Sequence, residues 1–145
     1  MKKRCQTRTI ASNNHGFSLL ELMAVMAILV MIATFAVPKY YNQVRKAKQQ
    51  TAKTQIEMLM TAMNAYRLDV GDFPSQSEGL AALQANPGID GWDGPYLAKD
   101  LPLDPWKRDY QYRNPGQYGE IDIYTLGKDN REGGEKEDKD IGSWQ

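Results

Sequence analysis

One carboxylate, that of Glu21, lies near the start of a long uncharged segment. Residues 17–37 carry no other charge and are mostly apolar, and the segment ends at Pro38. If this segment enters a bilayer, an unpaired carboxylate within it costs about 2.5–3.5 kcal/mol. An ammonium group placed against the carboxylate offsets that cost, because each charge replaces part of the other's lost hydration. The residues alone leave two alternatives for Glu21: a cationic partner, or a side chain that reaches back to the membrane surface.

A dense acidic cluster near the C-terminus is the second place where chemistry is expected. Six carboxylates lie between residues 129 and 140, beside the Gly133-Gly134 pair, which lets the backbone turn tightly. Because like charges at this density repel, an ordered loop needs a cation, and calcium takes roughly six to eight oxygen ligands in flexible geometry. The alternative is a disordered acidic tail, although Ile141 and Trp144 favour a return of the chain to a core. The spacing does not match an EF-hand, so the residues alone leave the calcium site open.

The segment that holds Glu21 is long enough to cross a membrane, since a helix of residues 17–37 covers about 30 Å. Residues 1–16 before it carry four basic side chains and no acid. A secretory signal peptide has its small-residue cleavage site after the apolar run, whereas here Gly16 comes before it. Cleavage after Gly16 would remove only the basic leader and leave the apolar helix as the new N-terminus. The sequence therefore predicts a leader at 1–16 and a transmembrane helix at 17–40.

Charge is distributed unevenly along the chain, although the net charge is zero. Residues 1–68 hold ten Lys or Arg and two acids, whereas residues 69–145 hold eight and sixteen. The basic side chains just after the span indicate anionic lipid headgroups, or equally a solvated helix face; they do not indicate nucleic acid. They are Lys39, Arg45, Lys46, Lys48 and Lys53. Because four basic residues precede the span and five follow it, the charges do not decide its orientation.

The apolar pattern after Pro38 predicts one long helix that continues to about residue 68. Ile56, Leu59, Met60 and Met63 recur at helical spacing. Residues 41–72 are therefore predicted to be an amphipathic continuation of the helix, packed on a head domain. Pro38 has no N–H for the carbonyl four residues earlier, which predicts a kink or local melting there.

The head, residues 73–145, is predicted to hold one short helix and two short antiparallel strands. Ser75 and Glu78 have the spacing of a capping box, which predicts a helix of about eight residues. The predicted strands are 110–112 and 121–124. Three aromatic residues are expected to pack the loops at 88–109 onto the long helix: Trp92, Tyr96 and Trp106. Together these elements predict an α+β fold.

The spacing of Gly16, Phe17 and Glu21 resembles the prepilin cleavage motif of type IV pilins and their relatives. In that family a membrane peptidase cleaves after the glycine and the new N-terminal Phe is N-methylated. The glutamate faces the N-terminal amine of a neighbouring subunit in the filament. The resemblance implies these roles for the three residues here and gives Glu21 a cationic partner. On this interpretation Pro38 lets the helix bend during packing, the leader is cytoplasmic and the head is periplasmic.

Several motifs along the rest of the chain resemble the major pseudopilins of the bacterial type II secretion system. They extend over residues 17–144 and include Asp72-Phe73-Pro74, residues 78–83, residues 94–97, residues 101–106, Tyr110-Gln111-Tyr112, residues 122–127 and residues 140–144. The resemblance implies a type IV pilin-like fold and a non-enzymatic structural subunit. That subunit would belong to a periplasmic filament, the pseudopilus, which drives export of folded proteins across the outer membrane. Implied partners are further copies of the chain, prepilin peptidase, the inner-membrane assembly platform and the minor pseudopilins.

The same resemblance implies calcium in the acidic loop. The implied ligands are the main-chain carbonyls of Leu126 and Arg131 and the side chains of Asp129, Asp138 and Asp140. The choice between Asp138 and Asp140 stays open, because this loop varies in length across the family. Lys136 and Lys139 are expected to weaken the affinity electrostatically.

Three other classes of protein are compatible with part of the sequence. A type IV or competence pilin shares residues 16–38 but usually closes its C-terminal loop with a disulfide, and the only cysteine here is Cys5 in the leader. A minor pseudopilin commonly differs in the head, and the tip subunit differs at the glutamate position. A membrane-anchored periplasmic enzyme lacks support, because the only histidine, His15, also lies in the leader. N-methyl-Phe at the mature N-terminus would exclude the enzyme.

Overall fold

A long helix, α1, runs from Leu19 to Val70. The structure is a computed structural model that describes residues 16–145, so the predictions on Cys5, His15 and the leader before Gly16 lie outside the described residues. The predicted long helix is confirmed, with both ends shifted slightly towards the C-terminus. The helix is not interrupted at Pro38, so of the two alternatives predicted there local melting is wrong, and the kink stays a prediction. The φ that the proline ring fixes lies in the helical range, so the backbone can continue as a helix through Pro38 with the loss of one hydrogen bond.

The chain divides into two compact units, one that ends at Tyr40 and one from Tyr41 to Gln145. In the first unit the large apolar side chains between Phe17 and Val37 are exposed. These residues make α1 long and apolar enough, by length and composition, to cross a membrane. The predicted domain boundaries stay predictions.

The second unit has a core formed by one face of α1 and by the head. Six side chains of α1 are buried there at helical spacing: Ala52, Ile56, Leu59, Ala62, Met63 and Tyr66. They belong to one cluster with Leu83, Ile123 and Ile141, while Met60 is partly buried against it. The predicted apolar stripe is therefore confirmed. Each fully buried Leu, Ile or Met contributes about 1.5–3 kcal/mol, so tertiary packing stabilises this part of α1 more than helix propensity does.

The predicted capping box is formed, but the helix after it is short. The Ser75 N–H donates to Glu78 Oε2 at 2.6 Å, and the Glu78 N–H donates to Ser75 Oγ at 3.3 Å. Gly79 then has a φ of +58°, outside the right-handed helical region. The turn therefore does not continue as an α-helix. A five-residue 3₁₀ helix, Gly79–Leu83, replaces the predicted eight-residue helix.

Aromatic side chains pack the loops of the head as predicted. The Tyr96 ring meets the Tyr66 ring of α1 edge-on, with centroids 5.6 Å apart. Trp92 Nε1 donates to the carbonyl of Ala82 at 2.8 Å, and Trp106 packs against the core. These contacts hold the loops before the first strand against α1 and the 3₁₀ helix.

Three short strands form an antiparallel sheet in the order β1-β2-β3. They are β1 (Gln111–Arg113), β2 (Asp122–Thr125) and β3 (Ile141–Gly142). Tyr112 pairs with Ile123, and Thr125 pairs with Ile141. The two predicted strands are confirmed with a shift of one residue, whereas β3 was missed because two residues show no alternation. Ile141 is buried, as expected if the chain returns to the core after the acidic cluster.

A buried carboxylate closes the turn between β1 and β2. Asp122 is 1% exposed. Its Oδ2 accepts from the N–H of Gln117 at 2.6 Å and of Tyr118 at 3.2 Å, and its Oδ1 accepts from the N–H of Gly119 at 3.2 Å. Both oxygens are therefore satisfied by backbone groups of the same turn.

Candidate functional site

The predicted cleavage site, the Gly16–Phe17 bond, lies immediately before α1 and is exposed. Gly16 and Phe17 precede the helix, and Phe17 is 81% exposed. The N–H of Leu22 donates to the carbonyl of Ser18 at 3.1 Å. The Gly16–Phe17 peptide bond therefore lies outside the helical hydrogen bonds.

Glu21 lies in the first turn of α1, and its side chain is exposed. A negative charge at this end of a helix interacts favourably with the helix dipole. Pro38 lies inside α1 and is also exposed. The assembly roles of both residues concern contacts with neighbouring subunits, so they stay predictions.

The acidic loop, residues 126–140, leaves the sheet after β2 and returns at β3. Its two sides are joined by the N–H of Lys128, which donates to the carbonyl of Glu137 at 2.9 Å. Lys128 Nζ also donates to Glu137 Oε2 at 2.7 Å. That hydrogen bond lowers the pKa of Glu137 and raises the pKa of Lys128. The charges of Lys48 and Arg45, both on α1, lower the pKa of Glu137 further, and Arg45 lines a cavity together with Lys128 and Glu137.

Two glycines let the acidic loop fold tightly. Gly127 has a φ of +63°, and a Cβ there would lie 2.7 Å from the carbonyl carbon of Asp138. Gly134 has a φ of +88°, and a Cβ there would lie 2.5 Å from the carbonyl oxygen of Asp138. Both positions therefore require glycine, by conformation and by space.

Two of the predicted calcium ligands, Asp129 and Asp140, each accept one backbone hydrogen bond from within the loop. Asp129 is exposed, and its Oδ1 accepts from the N–H of Arg131 at 3.2 Å. Asp140 is partly buried, and its Oδ2 accepts from the N–H of Gly133 at 2.8 Å. Asp140 Oδ1 is a buried atom with no hydrogen-bond partner among residues 16–145. A buried oxygen of this kind is one that a cation can satisfy.

The predicted ligands fall into two groups in the structure. Leu126 and Asp140 line a cavity of about 260 Å³, whereas Asp129 and Asp138 line another of about 710 Å³. Arg131 is exposed on the loop. Within the described part of the chain, no three acidic, histidine or cysteine side chains are arranged so that they could hold a metal.

The donor chemistry of this loop nevertheless fits calcium. All the predicted ligands offer oxygen atoms, the donor type that calcium prefers, and Asp140 Oδ1 is the buried one that lacks a partner. The ligand set itself stays a prediction.

Two residues that contact the acidic loop were missed by the sequence analysis. Arg108 Nη2 donates to the carbonyls of Gly127 and Lys128, the latter at 2.9 Å. Gln49 Nε2, from α1, donates to the carbonyl of Lys136 at 2.6 Å. Both contacts join segments far apart in the sequence, so no local pattern indicates them. One local signal indicates the turn that holds Arg108. An Asp followed by Pro, as at Asp104, is typical of a turn in which the carboxylate accepts backbone N–H groups.

Comparison with known families covers most of the chain. Residues 11–37 match the prokaryotic N-terminal methylation motif, and residues 39–144 match the family described as type II secretion system (T2SS), protein G. The chain is 46% identical to the type II secretion system core protein G of Vibrio cholerae over 133 residues, which cover 89% of this chain and 90% of that protein. The protein of the same name from Pseudomonas aeruginosa is 41% identical, with coverage of 89% and 94%.

A solved structure agrees with this family. The crystal structure of the major pseudopilin from the type 2 secretion system of enterohaemorrhagic Escherichia coli is similar with a TM-score of 0.60 and 37% identity, covering 70% of this chain and 87% of that one. The α+β, pilin-like fold and the resemblance to the major pseudopilins are therefore confirmed. Because the family match spans residues 39–144 and the two relatives align along about nine-tenths of their own length, this chain belongs to the type II secretion system protein G family.

Proposed function

We propose that the chain is a non-enzymatic structural subunit of the type II secretion pseudopilus. The observation that carries this proposal is the order of its parts: a methylation motif at residues 11–37, followed directly by the protein G match at 39–144. The membrane-anchored enzyme is the alternative from another class. No observation on the described residues favours it.

The proposed processing begins at the inner membrane. Prepilin peptidase cleaves between Gly16 and Phe17 and the new N-terminus is N-methylated, which leaves a single-pass chain with its head in the periplasm. The exposure of Phe17 and the position of the Gly16–Phe17 bond before α1 support this step. The leader remains on the cytoplasmic side.

The proposed assembly buries the apolar part of α1 against neighbouring subunits. The large apolar residues between Phe17 and Val37 are exposed in the single chain, and burying them on leaving the lipid requires other helices. Glu21 then pairs with the α-amine of Phe17 of a neighbouring subunit. Such a pair is strongly favoured at low dielectric, where either charge alone is costly. The assembly platform and the minor pseudopilins are the further partners proposed.

We also propose that the acidic loop binds calcium through the oxygens of Leu126, Asp129, Arg131, Asp138 and Asp140. Bound calcium supplies positive charge that relieves the repulsion among the carboxylates of the loop. Of Asp138 and Asp140, we favour Asp140 as the ligand. Its buried Oδ1 has no other partner among residues 16–145, and it lines a cavity together with Leu126. At a concentration tenfold above Kd, the ion stabilises the head by about 1.4 kcal/mol.

The first test is the mature N-terminus of the full chain, produced together with a prepilin peptidase. Intact-mass spectrometry is expected to give a chain that begins with N-methyl-Phe17. Gly16→Ala is expected to leave the leader attached, because the cleavage site is lost. Gly119→Ala is the matched control: a Cβ there would lie 3.4 Å from its nearest neighbour, an ordinary contact. An unprocessed wild-type chain, or cleavage elsewhere, would contradict the proposal.

A second variant separates processing from assembly. Glu21→Gln is expected to be cleaved and methylated normally but to form no filaments, because the neutral amide cannot pair with the ammonium group of the next subunit. Filaments are measured by shearing, sedimentation and immunoblotting. Filaments of Glu21→Gln at the wild-type level would show that this pair is not needed for assembly.

A further inference from the structure

A buried carboxylate, Asp104, organises the turn that carries Arg108. Asp104 is 4% exposed. Its Oδ1 accepts from the N–H groups of Trp106 and Arg108, both at 2.9 Å, and its Oδ2 accepts from Thr125 Oγ1 of β2 at 2.5 Å. The N–H of Asp104 also donates to the carbonyl of Arg108 at 2.7 Å. The backbone of Arg108 is therefore fixed relative to β2.

The guanidinium of Arg108 reaches the start of the acidic loop. Its Nη2 donates to the carbonyls of Gly127 and Lys128, the latter at 2.9 Å. Its Nε lies 4.0 Å from Asp104 Oδ2, and the side chain is 32% exposed. Hydrogen bonds from an ionised donor are about twice as strong as neutral ones, and the rigid planar guanidinium loses little entropy in forming them.

The two carbonyls that Arg108 binds lie between two of the proposed calcium ligands. Gly127 and Lys128 follow Leu126 and precede Asp129. Because the guanidinium fixes the carbonyls of Gly127 and Lys128, the backbone between Leu126 and Asp129 is held in one arrangement. We infer that Arg108, anchored by Asp104, is a positioning residue that sets the calcium affinity of the acidic loop. This inference rests on the proposed calcium binding.

Positioning and simple electrostatics predict opposite effects for the loss of Arg108. A positive charge beside the loop repels a cation, so electrostatics alone predicts tighter calcium binding when the charge is removed. Positioning predicts weaker binding, because a loop that is no longer held must be ordered when the ion binds. The sign of the change in Kd therefore decides between the two effects.

The test is isothermal titration of CaCl₂ into the full chain in detergent micelles. Arg108→Met is expected to raise the calcium Kd by about 10- to 100-fold, the usual effect of losing a residue that orients metal ligands. Arg108→Lys keeps the charge and a hydrogen-bond donor, so partial rescue is expected. Urea unfolding with chelator present is measured in parallel, which shows whether each variant is folded before calcium is added.

A matched control separates positioning from general destabilisation. Arg67→Met also removes a guanidinium, one that contacts Glu120 Oε2 at 2.5 Å and lies over the Phe73 ring at 4.7 Å, outside the acidic loop. It is expected to lower stability without changing the calcium Kd. Equal weakening by Arg67→Met and Arg108→Met, or unchanged or tighter binding by Arg108→Met, would overturn the inference. A wild-type chain that binds no calcium would instead show that the calcium proposal itself is wrong, and this inference with it.

Discussion

Two loops of the head gather negative charge, and they satisfy it in different ways. In the turn between β1 and β2, both oxygens of the buried Asp122 accept hydrogen bonds from backbone N–H groups of the turn itself. In the acidic loop, Asp140 Oδ2 accepts one such bond from Gly133, whereas Oδ1 is buried without a partner in the described part of the chain. The first loop is complete in its own hydrogen bonds, and the second is not.

This difference shows how the same residue type can serve stability or binding. A buried carboxylate that is fully hydrogen-bonded needs nothing from outside the fold. A buried oxygen without a partner costs about 1–3 kcal/mol, and a cation can recover that free energy. The β1–β2 turn is therefore expected to be equally stable with and without calcium, whereas the acidic loop is expected to respond to the ion.

The largest expected effect is the loss of Asp122. Asp122→Ala leaves the N–H groups of Gln117, Tyr118 and Gly119 without their acceptor inside the turn. The expected loss is about 3–5 kcal/mol in the free energy of unfolding. Urea unfolding measures it, and the loss should be the same with calcium and with chelator. Asp100→Ala, at an exposed position, is the control and should change stability by less than about 0.5 kcal/mol. If calcium restored the stability that Asp122→Ala loses, the proposed difference between the two loops would be contradicted.

Calcium removal is expected to have a smaller effect, confined to the acidic loop. When calcium is present at ten times its Kd, its removal by a chelator lowers the free energy of unfolding by about 1.4 kcal/mol. This change corresponds to a fall in Tm of roughly 5 °C or more for a domain of this size. Asp140→Asn keeps the shape of the side chain but removes its charge, so its Tm should not respond to chelator. Thermal unfolding of the full chain in micelles measures both.

Asp100→Asn is the control for this experiment, because it removes the same charge outside the acidic loop and should keep the wild-type response. If Asp140→Asn still responds fully to chelator, the ion is held by Asp129 and Asp138 instead. That result would move the site to the larger cavity that those two residues line.

Much of the fold follows from local patterns in the sequence. The apolar spacing of Ile56, Leu59 and Met63 is enough to predict the buried face of α1, because helical periodicity and burial have the same physical cause. The capping box of Ser75 and Glu78 can also be predicted from the sequence. The type and length of the helix after it cannot, because Gly79 is compatible with a helix or a turn and only its positive φ decides between them.

The residues of the candidate site also fall into two groups: those that a local sequence pattern reveals and those that only the three-dimensional structure reveals. The motif at Gly16, Phe17 and Glu21 is local, so its spacing alone revealed it, and the family comparison agrees with it. The acidic residues of the loop were also visible as a cluster. Arg108 was not, because its contact with Lys128 joins residues that are 20 positions apart. Such a contact depends on how Asp104 and β2 meet in three dimensions, which no local pattern records.

The smallest expected effect concerns the exposed pair of Lys128 and Glu137 across the acidic loop. The hydrogen bond lowers the pKa of Glu137, so its contribution to stability is present above the ordinary Glu range and is lost as the pH falls through the lowered value. It raises the pKa of Lys128, so that contribution is present below the ordinary Lys range and is lost as the pH rises through the raised value. At neutral pH both contributions are present, but solvent screening keeps them small.

A double-mutant cycle of Lys128→Met and Glu137→Gln, measured by urea unfolding with chelator, isolates the coupling between the two side chains. The coupling should be weaker than the effect of Asp122→Ala, and it should disappear in acid and at about 1 M salt. A coupling that survives high salt and matches the Asp122 effect would contradict the comparison, because the acidic loop would then be held by its own side chains as firmly as the β1–β2 turn. Weak, salt-sensitive coupling means instead that this pair only brings the two sides of the loop together, and that firm closure is left to a cation.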